Sequence, residues 1–232
     1  MTMHSTISAT KANRLYWLGR YTERVYLELH LLRRYYDKMI DGEPEEYKEY
    51  YEKLEIMNPY EDEESFRLGY LYDEKNPVSI ISGLTYANDN AIVLREEIKS
   101  ETMSYIQMSL VKINQESKEK EYNITNLQSI TDWLLAFWGS IDERIFDERV
   151  KNLLKIGRYV ELLDILIRFE YPYFRVREAF DSLLQCSKME EGAFDKTLMG
   201  NLDWLIESNV YKTDDPEYKA KILKYLNHLV LV

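Results

Sequence analysis

Apolar residues recur at helical spacing along nearly the whole chain. From Thr10 to about Ile40, Leu18, Val25, Leu29 and Leu32 form one stripe at heptad-like intervals. This predicts a first long helix, capped by Ser8 or Thr10. Asp41-Gly42-Glu43-Pro44 ends it. A Tyr/Glu/Lys-rich stretch from Pro44 to Ile56 reads as a partly exposed helix stopped at Asn58-Pro59, and Asp62 to Tyr72 as a short one. The acidic run from Pro59 to Glu64 is the best candidate for a mobile loop. Asn76 as a cap, with Pro77 in the first helical position, begins a helix to about Lys99. Another follows from Glu101 to about Asn114. Gln115 to Tyr122 reads as a charged, solvated connector, and Ile124 to Phe137 as an apolar segment. After Trp138-Gly139-Ser140-Ile141-Asp142 a second long helix runs to about Phe169, and Pro172 breaks it. Three more helices are expected, at about Tyr173 to Gln185, Phe194 to Glu207 and Asp215 to Val230, the last capped by Thr213 or Asp214. Strand-like alternation of useful length does not occur. The expected fold is all-α, a multi-helix bundle with two long central helices, in one domain over residues 1–232.

The two long helices share a phrase. Gly19-Arg20-Tyr21-Thr22-Glu23 lies in the first and Gly157-Arg158-Tyr159-Val160-Glu161 in the second. Glycine inside a helix costs about 1 kcal/mol relative to alanine, and both phrases carry charge into apolar surroundings. Projected at 100° per residue, Gly19, Arg20 and Glu23 lie away from the Leu18/Val25/Leu29/Leu32 stripe, on a helix that is also apolar at Leu27 and Leu31. In the second helix Arg158, Glu161, Asp164 and Arg168 recur at helical spacing. A buried charge needs a partner. The cheapest arrangement crosses the charges, Arg20 with Glu161 and Arg158 with Glu23. The candidate polar cluster is therefore Arg20, Glu23, Arg24, Arg158, Glu161 and Asp164, with Gly19 and Gly157 permitting close approach. Three readings stay open: structural ion pairs that fix helix register, a site for a ligand carboxylate or phosphate or for acid/base chemistry, and a solvated face with local pairs.

Composition narrows the partners. A net charge of −11 argues against nucleic acid and against an anionic membrane surface. No run approaches the roughly 18 apolar residues of a membrane span, and Met1 to Ala9 lacks a secretory apolar core. Cys186 is the only cysteine, which excludes an intrachain disulfide and fits a reducing cytoplasm. It reads as a small core residue. With only His4, His30 and His228, and no Glu-x-x-His, no metal site is expected; His30, set among leucines, reads as a packing residue. Neither nucleotide-binding glycine motif occurs, so no cofactor is expected. Tyr35, Tyr36, Tyr47, Tyr50 and Tyr51 suit helix seams or an exposed stripe for self-association as a homo-oligomer.

The segment Asn13-Arg14-Leu15-Tyr16-Trp17-Leu18-Gly19-Arg20-Tyr21-Thr22-Glu23-Arg24 resembles the opening signature of the alpha-E domain family, a bacterial all-helical family with a Glu-Arg motif. Asn76-Pro77-Val78-Ser79-Ile80 with Ala87-Asn88-Asp89-Asn90-Ala91 and Arg95-Glu96 resembles its central segment. Phe137-Trp138-Gly139 resembles the turn before its last motif, and Ile156-Gly157-Arg158-Tyr159-Val160-Glu161 the second Gly-Arg region. The chain departs from the pattern at Glu161-Leu162 and at Ala87-Asn88-Asp89-Asn90, each without the family's arginine. The resemblance covers about residues 10 to 170. It implies a helical domain whose genes neighbour ATP-grasp peptide or amide ligases, transglutaminase-like peptidases and proteasome-like hydrolases. It therefore implies an accessory or interaction part in peptide synthesis or modification, with an ATP-grasp or transglutaminase-like partner. A small-molecule- or peptide-binding enzyme using the Arg/Glu cluster is the alternative.

Overall fold

The computed structural model describes residues 7–40, 46–119, 124–212 and 214–231. Among these residues the chain is all-α, with eleven α-helices and a single isolated β-bridge, Phe194 to Val230. The predicted stop at residues 41–44, the cap offered by Thr213 and the end of the connector at 120–122 lie outside the described residues. Helix α1 (Ala9–Ile40) is the longest. Ser8 caps it, its Oγ accepting from the amide of Lys11 at 3.3 Å. Leu18, Val25, Leu29 and Leu32 are all buried, as the stripe requires.

Helices α2 (Glu46–Leu54) and α3 (Glu63–Tyr72) join the C-terminal half of α1 in one apolar cluster. Of the two settings expected for the tyrosines, the helix seam is the one found. Tyr35, Tyr47, Tyr50 and Tyr51 are interior, not an exposed stripe. They meet Phe66, Tyr70 and Phe169 in stacked, edge-on and tilted contacts, and the hydroxyls of Tyr50 and Tyr70 bond each other at 2.9 Å. Enough aromatic surface meets in one place to bury the phenols, and the Tyr47 hydroxyl donates to the Glu61 carbonyl at 3.2 Å. The acidic run is a loop, but an anchored one. Asp62 and Ser65 form a reciprocal capping box, and Tyr60 lies against Gly69, where a Cβ would come within 2.2 Å of the ring.

Helix α4 (Ile80–Val93) starts later than Asn76 suggests. Asn76 turns the backbone by accepting from the Val78 amide at 3.1 Å, and Ser79 supplies the cap. Lys99, with φ 70°, separates the short α5 (Arg95–Ile98) from α6 (Ser100–Glu119). The expected connector is helical as far as Glu119, because Ile113 and Glu116 are buried and Glu116 is held by Lys112 and Asn126. Helix α7 (Gln128–Arg144) runs straight through Trp138-Gly139, which is therefore no turn. Phe137, Trp138 and Ile141 bury one face, and that burial outweighs the helix cost of one glycine. Helix α8 (Glu148–Arg168) starts after an Asp147 cap. It is followed by α9 (Tyr173–Met189), α10 (Lys196–Leu205) and α11 (Pro216–His228), the last capped by Asp215 and not by Asp214. Cys186 is buried, as expected, but His30 is exposed and edge-on to Tyr26, so it is no core packing residue.

The most extensive helix contact is α1 on α8; α4 covers α1, α9 covers α8, and α6 packs on α7 and α4. Two apolar clusters result. One holds Leu15 and Leu18 of α1 with Leu154, Val160 and Leu163 of α8 and the C-terminal helices. The other holds Val25 to Tyr35 of α1 with α2 and α3. Between them, residues 19–24 of α1 form a polar layer.

Candidate functional site

Helices α1 and α8 run past each other in the same sense, and the glycines set how close they come. A Cβ on Gly19 would stand 2.1 Å from the Leu154 carbonyl oxygen, and one on Gly157 would stand 2.1 Å from that of Tyr16. Each glycine thus receives the backbone of the other helix where any side chain would collide. The two contacts are related by a single offset in the sequence, since Leu154 stands to Gly157 as Tyr16 stands to Gly19. The phrases therefore meet about a local two-fold.

The charges follow the same exchange. Arg20 Nε donates to Glu161 Oε2 at 2.7 Å, and Arg158 Nε donates to Glu23 Oε2 at 3.1 Å. Both pairings are those the spacing predicts. The symmetry then breaks. Arg24 also binds Glu161, through Nε at 2.6 Å and Nη2 at 3.1 Å, so Glu161 serves two guanidiniums. Glu23 meets one guanidinium among the described residues, that of Arg158, whose side chain stays 27 % exposed and which lies 4.6 Å from the centre of the Trp138 ring. Arg20 lies over Trp17 and its Nη1 donates to the Tyr16 hydroxyl at 3.4 Å. Asp164 binds Arg168 Nε at 2.6 Å, and Arg168 Nη1 reaches the Leu54 carbonyl and Glu55, tying α8 to the end of α2.

These surroundings separate the carboxyl groups. Burial pushes Glu161 up, but Arg24 and Arg20 outweigh it and hold the acid at about 2, ionised throughout the physiological range. Burial raises Glu23 to about 7 against the pull of Arg158. It raises Asp164 as well, with the Glu161 charge adding and Arg168 opposing. Among the carboxyl groups, one that the sequence reading missed is raised furthest. Glu28, one turn beyond Arg24, is only 5 % exposed. Burial takes it to about 8, opposed by Arg24 and by the Tyr70 hydroxyl and reinforced by the Glu161 and Asp164 charges. Among the described residues it forms no ion pair, and the Tyr70 hydroxyl, which also meets Tyr50 at 2.9 Å, approaches it. The signal was present as a Glu at the i+4 position from Arg24, on the face that carries Glu161's partners.

Glu28 lines a cavity of about 160 Å³ with Arg24, Glu161, Asp164 and Arg168. Leu54, Ile56, Val78 and Ile165 form its apolar walls. The candidate residues thus divide. Arg20, Glu23 and Arg158, with the two glycines, close the helix seam, whereas Arg24, Glu161 and Asp164 face the cavity as well as their partners. Among the described residues no helix is long and apolar enough to cross a membrane.

Fold and site together define an all-helical domain locked at its centre by Arg–Glu pairs exchanged between two parallel helices. Residues 8–204 match Alpha-E, described as a predicted alpha-helical domain with a conserved ER motif, and the chain belongs to that family. Glu23-Arg24 is one such Glu-Arg dipeptide, and its two members grip different partners on α8, Arg158 and Glu161. No curated protein and no solved structure matches the chain.

Proposed function

We propose that this single helical domain is an accessory, partner-binding component of a cytoplasmic ATP-grasp peptide- or amide-ligase system. The observation that carries the reading is the closure of the motif on itself. Arg20 with Glu161 and Arg158 with Glu23 neutralise one another across a glycine-tight seam, so the shared phrases act as a clamp for the fold. A clamp leaves recognition to other surfaces, and the family resemblance supplies the class of partner. Transglutaminase-like proteins are the next candidates. The buried tyrosines lend no support to self-association. The test is co-expression with an ATP-grasp ligase of the same organism, followed by size-exclusion chromatography. Co-elution as one complex is expected; independent elution at micromolar concentrations of both proteins would remove the reading.

A second reading is favoured by one specific observation. Glu28 faces a cavity without a counter-charge, beside Arg24 and Asp164. On this reading the domain binds a small molecule or a peptide end there, as a carrier or as an enzyme. A carboxyl that titrates near neutrality is the type of group that general acid/base chemistry requires.

A further inference from the structure

We propose that the cavity between α1, α2 and α8 binds a primary amine on a short alkyl stem, with its ammonium group seated on Glu28. The inference deepens the second reading above and does not depend on a protein partner.

The polar groups around the cavity are committed, with one exception. Glu161 holds Arg20 and Arg24. Asp164 holds Arg168, and Arg168 also takes Glu55. Three guanidiniums therefore face three carboxylates within hydrogen-bonding or ion-pair reach. Glu28 is the fourth carboxyl, only 5 % exposed, and among the described residues it has no cation of its own. A ligand that brings one positive charge balances the set. A ligand anion would instead meet Glu28 and Asp164 with no unpaired guanidinium to receive it. A divalent metal would sit against Arg24 and Arg168. The walls at Leu54, Ile56, Val78 and Ile165 suit methylenes. A single water needs roughly 10–15 Å³ of such space, so about 160 Å³ admits a small organic cation.

The proton balance is specific. The groups that face Glu28 are Arg24 on its own helix, Glu161, Asp164 and Arg168 on α8, Tyr70 on α3 and Tyr50 on α2. Burial holds the empty site's carboxyl largely protonated at neutral pH, since its midpoint is pushed to about 8. An entering alkylammonium keeps its own protons. Glu28 ionises against it and releases one proton to solvent, so no other group has to change state.

The experiment is isothermal titration calorimetry of the full chain with n-butylamine at pH 7, in phosphate and in MOPS buffers. Saturable binding with net release of close to one proton is expected, and n-butanol and butyrate should not compete. Glu28→Gln should weaken binding by roughly 30-fold or more, as for loss of one partner of a buried charge pair, and should abolish the proton release. Val78→Trp, at the half-exposed rim, should block entry while leaving the buried charges in place. Absence of saturable amine binding overturns the inference. So does binding without proton release, binding unchanged in both variants, or preference for butyrate. Should Glu28→Gln fail to fold, the wild-type proton count and Val78→Trp decide the matter. None of these readouts involves the ligase partner, so either proposal can fail alone.

Discussion

Replacing Gly19 with alanine tests the account of the α1–α8 seam most directly. On helix propensity alone the change should stabilise by about 1 kcal/mol. The structure reverses that sign. The new Cβ would lie 2.1 Å from the Leu154 carbonyl oxygen and 3.2 Å from the Arg158 amide nitrogen, and both are backbone atoms inside a buried helix. Neither can swing aside, so α8 must retreat until the first contact reaches an ordinary 3.4 Å. The same displacement would stretch the 2.7 Å Arg20–Glu161 bond to about 4 Å, the outer limit of an ion pair. Overpacking of this kind costs about 1–3 kcal/mol, and a weakened buried pair adds to it. We expect a net loss of about 2–4 kcal/mol, a large part of a typical 5–15 kcal/mol stability. Gly157→Ala should behave alike, because it meets the Tyr16 carbonyl at the same 2.1 Å. Urea denaturation read by circular dichroism gives both values. Gly139→Ala is the control, since nothing lies within 4 Å of its Cβ position, and it should stabilise slightly. A Gly19→Ala protein as stable as the wild type, or more so, would refute the close-packed seam.

Three further outcomes follow from the same geometry. Glu161→Ala strands Arg20 and Arg24 together and should cost roughly 3–5 kcal/mol. Glu23→Ala frees only the part-exposed Arg158 and should cost clearly less; equal losses in denaturant melts would show the pairs to be equivalent. Glu28 and Glu23 have folded-state pKa values raised to about 8 and about 7 from 4.5. Their contribution to stability is thus fully present below pH 4.5 and lost as pH rises through 7 and 8. Glu161, depressed to about 2, acts in the opposite sense, and its contribution is lost only as pH falls from 4.5 towards 2. Glu28→Gln should remove much of the alkaline decline, an effect on the order of a few kcal/mol by pH 8, and stability curves that stay parallel from pH 5 to 8 would contradict this. Cys186, buried with its thiol pushed up to about 11, should react with a disulfide reagent only after unfolding; prompt labelling of the native protein would place it at the surface.

The sequence by itself determined the helical class, the two long helices and the crossed pairs, for one physical reason. Helical periodicity is local, and a charge set in an apolar helix has to find its opposite, so two matched phrases with one Arg and one Glu each leave few pairings. Other features depended on contacts between distant segments. Whether Trp138-Gly139 was a turn rested on the apolar neighbours that reward a continuous α7. Whether Tyr47, Tyr50 and Tyr51 faced solvent rested on the meeting of α2 with Phe66, Tyr70 and Phe169. The third guanidinium–carboxylate contact, Arg24 to Glu161, and the exclusion of Glu28 from any pair came from the crossing of α1 and α8. That crossing sends two arginines, Arg20 and Arg24, to the one carboxylate of Glu161, and Glu28 is left facing the cavity. Pairing rules applied to a sequence say which charges can be satisfied, but only the packed structure shows which one is left facing a cavity.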